Sequence, residues 1–213
     1  MIDTSLTKKQ LEIIKKWLGN GSINIFGLPF SGKDTHGRIL AELFDAPLMG
    51  GGDIFRNSVI PDHVREAINR GELAPTDDYI RIVLPYLSKK EFANRPLILS
   101  SVGRWSGEEN GVLKATSASG HAIKSVIYLQ LGEEMVYERW RKSQEIGDRA
   151  DRVDDAVELL GTRVKEFTNK TLPVIDAYRK LGLLIEVNSK VPKQEAVDTI
   201  LSRLLAAAVS KTR

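Results

Sequence analysis

Apolar positions along the chain fall into two rhythms that take turns. Short unbroken runs such as Ile23–Phe26 and Leu97–Leu99 are too brief for helices and are bounded by Gly, Asn or Pro, as buried strands are. Longer stretches place apolar residues three and four apart. The expected strands are Ser22–Leu28, Pro47–Gly50, Arg95–Val102, Ser125–Leu131 and Leu183–Val187. The expected helices are Thr7–Leu18, Ser31–Phe44, Pro61–Arg70, Thr76–Lys89, Gly132–Ile146, Asp154–Leu181 with a bend near Pro173, and Lys193–Val209. Gly103–Gly120 reads as loop with one or two helical turns around Glu108–Thr116, and the strand Pro47–Gly50 leads into Gly50-Gly51-Gly52-Asp53. Alternation of this kind predicts an α/β fold, a parallel sheet with helices on both faces. No internal repeat or low-complexity linker interrupts it.

The 213 residues suffice for one substantial core. No apolar stretch is long enough to span a bilayer, and residues 1–10 lack the apolar centre of a signal peptide. Cysteine is absent, which excludes disulfides and thiolate metal sites and fits a cytoplasmic enzyme. A net charge of +3 is too balanced to point to nucleic acid. Placement of the charges says more, because arginines cluster between Arg139 and Arg163.

The strand at Ile23–Phe26 runs into Gly27-Leu28-Pro29-Phe30-Ser31-Gly32-Lys33-Asp34-Thr35, and a helix follows. The spacing G-x-x-x-x-G-K is that of a phosphate loop. Glycines let the backbone aim its N–H groups at an anion, the helix N-terminus adds positive field, and Lys33 brings a mobile charge. Three further segments follow expected strand or helix ends. Gly50-Gly51-Gly52-Asp53-Ile54-Phe55-Arg56 offers an arginine for phosphate, and an Asp that can either cap a helix or hold a magnesium-bound water. Ser100-Ser101-Val102-Gly103-Arg104 offers a second arginine. The third runs through Arg139, Arg141, Arg149, Arg152, Asp154, Asp155 and Arg163 across a break between helices. Alone, the first reads equally as a plain helix cap, Arg104 more often as a solvated loop arginine, and the third more often as an ordinary charged helix face. Beside a phosphate loop they suggest a polyanion site.

Together these blocks resemble the adenylate kinase family of nucleoside monophosphate kinases over nearly all of Ile23–Leu205. Gly52–Arg56 is similar to the family's G-D-x-x-R, and Gly71-Glu72-Leu73-Ala74-Pro75 to its G-x-L-V-P/T. Leu97 through Arg104 resembles its strand ending in D-G-F-P-R, and Arg152–Asp155 with Arg163 its R-x-D-D…R. The resemblance implies a P-loop NTPase three-layer fold with a five-stranded parallel sheet. It also implies a helical monophosphate-binding insert at about residues 50–80 and a short lid at about 142–153. Residues 1–21 would be an N-terminal helical extension and 22–213 the kinase domain.

The implied activity is magnesium-dependent transfer of the γ-phosphoryl of ATP to AMP, giving two ADP. Lys33, Arg104, Arg152 and Arg163 would be catalytic. Phe30, Ser31, Gly32, Lys33, Asp34, Thr35, Arg139 and Arg141 would hold ATP, with Arg149 a further candidate. Gly51, Arg56, Leu73, Ala74, Arg104, Glu108, Arg152 and Arg163 would hold the monophosphate. Asp53 would reach magnesium through water. ATP and a monophosphate are the expected partners of a monomer, without nucleic acid or membrane.

The chain departs from the family pattern at telling places. Phe30 and Asp34 stand where the loop usually has glycine, and Asp34 brings a carboxylate near the triphosphate. Ser100 replaces the usual aspartate, Val102 and Gly103 the usual Phe and Pro, and Gly51 a threonine near the acceptor base. Glu108, or Glu109 or Asn110 after a small slip, stands where a glutamine reads the base. An ionised glutamate only accepts hydrogen bonds, so the acceptor base stays open among AMP, CMP, UMP and GMP. A nucleotide-binding homologue with weak transfer also stays open. A kinase of small metabolites, such as a sugar, is disfavoured by the Arg56 and Arg152 blocks.

Overall fold

A computed structural model of the chain describes residues 4–56, 58–146 and 156–210, with backbone alone for Asp53 and Arg56. The order is α1 (Lys8–Leu18), β1 (Ser22–Gly27), α2 (Lys33–Phe44), β2 (Leu48–Gly50), α3 (Gly51–Arg56), α4 (Asp62–Asn69), α5 (Thr76–Ile82), β3 (Leu97–Ser100) and α6 (Glu108–Ala118). It continues with β4 (Ile123–Gln130), α7 (Glu133–Ile146), α8 (Val157–Glu166), α9 (Leu172–Lys180), β5 (Leu184–Asn188) and α10 (Lys193–Ser210). The five strands form one sheet in the order β2-β3-β1-β4-β5, with every pairing parallel. Among the described residues no helix is long and apolar enough to cross a membrane.

Side chains alternate across the sheet, and both faces are covered. Ile23, Ile25, Ile98 and Ile127 point to one face, where they pack with Ile14 and Leu18 of α1, Leu40 of α2 and Ile200 and Leu204 of α10. Phe26, Leu97, Leu99 and Val126 point to the other, against Val112 of α6 and Ile175 and Tyr178 of α9. The N-terminal helix therefore packs on the body of this chain. Thr7 caps it by a reciprocal pair with Gln10, and the Ser5 N–H donates to Asp198 of α10 at 2.8 Å.

The structure redraws several expected elements. β2 passes straight into α3, so Asp53 lies inside the first turn instead of capping a following helix. The gain is burial of Ile54 and Phe55. The expected helix Thr76–Lys89 stops at Ile82 and becomes a 3₁₀ turn, Leu84–Ser88, because Pro85 has no N–H to donate and disfavours helical backbone before it. The turn or two around Glu108 is a full helix of 11 residues. The long helix expected up to Leu181 is divided by a π-helical turn at Phe167–Thr171, six to two residues ahead of Pro173.

Two buried polar groups organise the carboxyl edge of the sheet. Asn24, within the apolar run of β1, donates its amide to the Val102 carbonyl at 2.7 Å and accepts the Val102 N–H at 3.2 Å. It thereby extends the pairing of β1 beyond the end of β3. His36, on α2, is buried, and its Nδ1 has no hydrogen-bond partner among the described residues. Burial first, then Arg139 and Lys193, pull its pKa from 6.5 to about 4.

Asn24→Ala is expected to cost on the order of 2–4 kcal/mol in denaturant unfolding, since it strands both polar groups of Val102. A loss below about 0.5 kcal/mol, the size of an ordinary surface change, would contradict that. For His36 the folded pKa lies below the unfolded one. Its contribution to stability is complete above pH 6.5 and is lost as the pH falls through about 4. We expect about 3 kcal/mol of acid-sensitive stability across that window. His36→Gln should flatten this part of the pH–stability curve, and equal slopes in parent and variant would refute the assignment.

Candidate active site

The ends of β1, β2 and β3 open on one cavity of about 220 Å³, lined by residues of the phosphate loop, α3, α5, α8 and the turn after β3. It lies where the strand order reverses around β1, the usual position of a ligand crevice in an open parallel sheet.

The loop is shaped by close approach and by backbone sign. A Cβ on Gly27 would lie 2.4 Å from the Ser31 hydroxyl, so no larger residue fits. Gly32 has φ 90° and starts α2. Phe30, where glycine is the usual choice, has φ 60°. A left-handed non-glycine residue costs about 1–2 kcal/mol, so the neighbourhood must hold it. It does: Arg139 of α7 donates to the Phe30 carbonyl at 3.0 Å and to the Ser189 carbonyl, and Ser189 donates to the Ser31 carbonyl at 2.6 Å. Arg139 and Ser189 thus strap the loop from outside. Lys33 donates to the Leu28 carbonyl at 2.9 Å and lines the cavity together with Phe30, Gly32, Asp34 and Thr35. Asp34 accepts from the Ser100 hydroxyl at 3.5 Å.

The far side of the cavity carries Gly51, Leu73, Ala74, Arg104, Glu108 and Arg163. Arg104 is half-buried, and its Nε has no hydrogen-bond partner among the described residues. Burial and the neighbouring Arg163 lower its pKa to about 10, which still leaves it charged at neutral pH. Gly71 (φ 76°) makes room for Arg163, whose Cγ would sit 3.3 Å from a Cβ there. Glu108 is buried. Its Oε2 accepts the N–H groups of Arg104 at 2.8 Å and Trp105 at 3.0 Å, and its Oε1 has no hydrogen-bond partner among the described residues. Burial pushes this carboxyl above the usual range, while those N–H groups, the Thr76 hydroxyl and Arg104 favour its charged form.

The structure thus brings Phe30, Gly32, Lys33, Asp34, Thr35, Gly51, Leu73, Ala74, Arg104, Glu108 and Arg163 to one cavity. Among the described residues its lining leaves out Ser31, Arg139 and Arg141. Ser31 is buried beneath the loop, Arg139 braces it, and Arg141 is exposed on α7. Asp53 and Arg56 lie on α3. Arg149, Arg152 and the rest of the Asp148–Asp155 block lie outside the described residues.

Three contributors escape the sequence reading. Tyr79 accepts the Gly103 N–H at 2.8 Å, and burial raises its pKa, so a neutral phenol lines the cavity. Trp105 donates to the Ala74 carbonyl at 2.9 Å and lies under Lys170, whose Nζ is 3.9 Å from the ring centre. Glu166 accepts from Leu73 N–H at 3.0 Å and from Lys170 at 2.5 Å. Only Trp105 left a sequence signal, an indole beside Arg104 in a polar stretch.

The chain is similar to known proteins in sequence and in fold. Residues 25–183 match the family model described as adenylate kinase. The adenylate kinase of Dehalococcoides mccartyi strain BAV1 is 26% identical over 211 residues, covering 86% of this chain and 97% of its own. That of Corynebacterium glutamicum strain R is 27% identical, covering 81% and 93%. In structure, a gluconokinase from Sinorhizobium meliloti 1021 superimposes with TM-score 0.63 over 91% of this chain and 96% of its own, at 19% identity, a likeness of fold alone. With a match spanning most of the sheet and the whole cavity, the chain belongs to the adenylate kinase family.

Proposed function

We propose that the protein transfers the γ-phosphoryl group of ATP to AMP, yielding two ADP. Its family makes it a phosphotransferase of the nucleoside monophosphate kinase type; the choice of AMP is our reading. The observation that carries it is the single cavity that joins a phosphate loop to a second cationic wall, Arg104 and Arg163. Arg163 acts on Arg104 as a like charge that lowers its pKa. Two guanidiniums facing one space suit an anion between them.

Phosphoryl transfer asks the protein for alignment and charge more than for covalent chemistry. The acceptor phosphate is already anionic, so no general base is needed. In our reading the N-terminus of α2 and Lys33 hold the ATP phosphates, and Lys33 leaves the Leu28 carbonyl to do so. Arg104 and Arg163 grip the acceptor phosphate and offset the charge that spreads over the equatorial oxygens in the transition state. Arg104 keeps its proton, because its pKa stays at about 10. Magnesium on the nucleotide needs few protein groups, since phosphates and water fill most of its positions. Asp34, Thr35 and Ser100 line the cavity and suit that role. Bound there, the cation would neutralise charge on the β- and γ-phosphates.

The choice of base follows from Glu108. Its Oε2 is committed to two backbone N–H groups, which leaves one acceptor, Oε1. Guanine's N1–H and N2–H pair would need both oxygens. One exocyclic amino group, as on adenine or cytosine, needs only one. Curated relatives named adenylate kinase agree with adenine.

In a coupled assay across AMP, CMP, UMP and GMP with magnesium-ATP, AMP should have the highest kcat/KM, and Lys33→Ala should abolish turnover. AMP ranking last would end this reading. Purine riboside monophosphate, which lacks the amino group, should be about ten- to a hundredfold poorer than AMP, the worth of a hydrogen bond to a charged group. Glu108→Ala should erase that discrimination, and its persistence would remove Glu108 from base reading.

A further inference from the structure

We infer that Asp34, paired with Ser100 across the cleft, is the positioning carboxylate for the divalent cation of bound ATP. The inference rests on the nucleotide-binding reading above. Asp34 directly follows the phosphate-loop lysine in the first turn of α2 and lines the cavity with Lys33 and Thr35. That turn is also where the loop cradles phosphate. A carboxylate there repels a polyphosphate unless a cation lies between them. In a loop otherwise built to attract anions, a fixed negative charge makes sense when the bound species is metal–nucleotide.

Ser100 supplies the second half of the argument. It is the last residue of β3 and is held in register with Ile25 of β1 and Gly50 of β2. Its hydroxyl donates to Asp34 Oδ1 at 3.5 Å, which holds the carboxylate toward the strand end. The family pattern has an aspartate at this strand end and a glycine at position 34. One carboxylate is missing from β3 and one is gained on α2, and the two positions meet at hydrogen-bond distance inside the same cavity. Magnesium keeps several waters and tolerates such a move, because a carboxylate acting through water can approach from either wall.

The test is calorimetric titration of ATP into the full chain, once with chelator and once with excess magnesium. The ratio of the two affinities is the factor by which the cation tightens the nucleotide. Asp34→Asn, nearly isosteric, should bind metal-free ATP more tightly and magnesium-ATP more weakly, and so shrink that factor about tenfold or more. Adding Ser100→Asp to this variant should restore it. Manganese electron paramagnetic resonance on the ATP complex should show the same loss and recovery, and Asp34→Gly repeats the measurement if the Asn variant melts early. An unchanged factor in Asp34→Asn, or no recovery on returning the carboxylate to β3, overturns the inference. Either failure with AMP phosphorylation intact would leave the proposed function standing. Absence of ATP binding in the parent chain would overturn both.

Discussion

Two guanidinium groups share one cavity, and like charges at such range are tolerated only on a rigid support that an anion then relieves. Burial and Arg163 together pull Arg104 down to a pKa of about 10, while Glu166 and Glu108 push back. The scaffold for this confrontation is the carboxyl edge of a parallel sheet. Arg104 hangs from the turn that Asn24 zips to β1, and Arg163 reaches in from α8 past a glycine that leaves it room. A phosphate placed between them exchanges repulsion for two charge-assisted contacts.

The same logic governs the phosphate loop. A phenylalanine with positive φ stores strain, and the strain is held by bonds from outside the loop: Arg139 on the Phe30 carbonyl and Ser189 on the Ser31 carbonyl. Arg139 sits on α7 and Ser189 just after β5, so loop shape depends on elements from the far half of the chain. The neutral ring of His36 beneath fits this arrangement, since a second charge beside Arg139 and Lys193 would work against it. Preorganisation of this kind spares the reaction the cost of assembling its cradle around each nucleotide.

Around the acceptor side, side chains with no direct chemistry hold those that have it. Glu166 fixes Leu73, Trp105 fixes Ala74, and Lys170 spans the two by pairing with Glu166 over the indole. The segment from Gly71 to Pro75 is thereby pinned between α8 and the turn before α6, along the wall of the cavity. Glu108 spends one oxygen on that turn, and the other has no hydrogen-bond partner among the described residues. A single carboxylate thus holds the turn at the cavity wall.

The chain's order of strands and helices, the glycine–lysine loop and the choice of Lys33, Arg104 and Arg163 as residues that line one cavity were legible in the sequence. Each is written in local spacing: apolar runs against helical periodicity, glycines at fixed offsets, an arginine after a strand end. Boundaries drifted where local signals competed, as at Pro85 and at Gly51, where buried Ile54 and Phe55 draw glycines into a helix. Asn24, Tyr79 and Glu166 were not legible, because their partners Val102, Gly103 and Leu73 lie 78, 24 and 93 residues away. Nor could spacing show that Arg139 braces the loop, or that Asp34 and Ser100 meet. Local pattern determines which elements form, since it depends on near neighbours. Which side chains face one another across the cleft is decided by sheet order and register, and those exist only once the chain has folded.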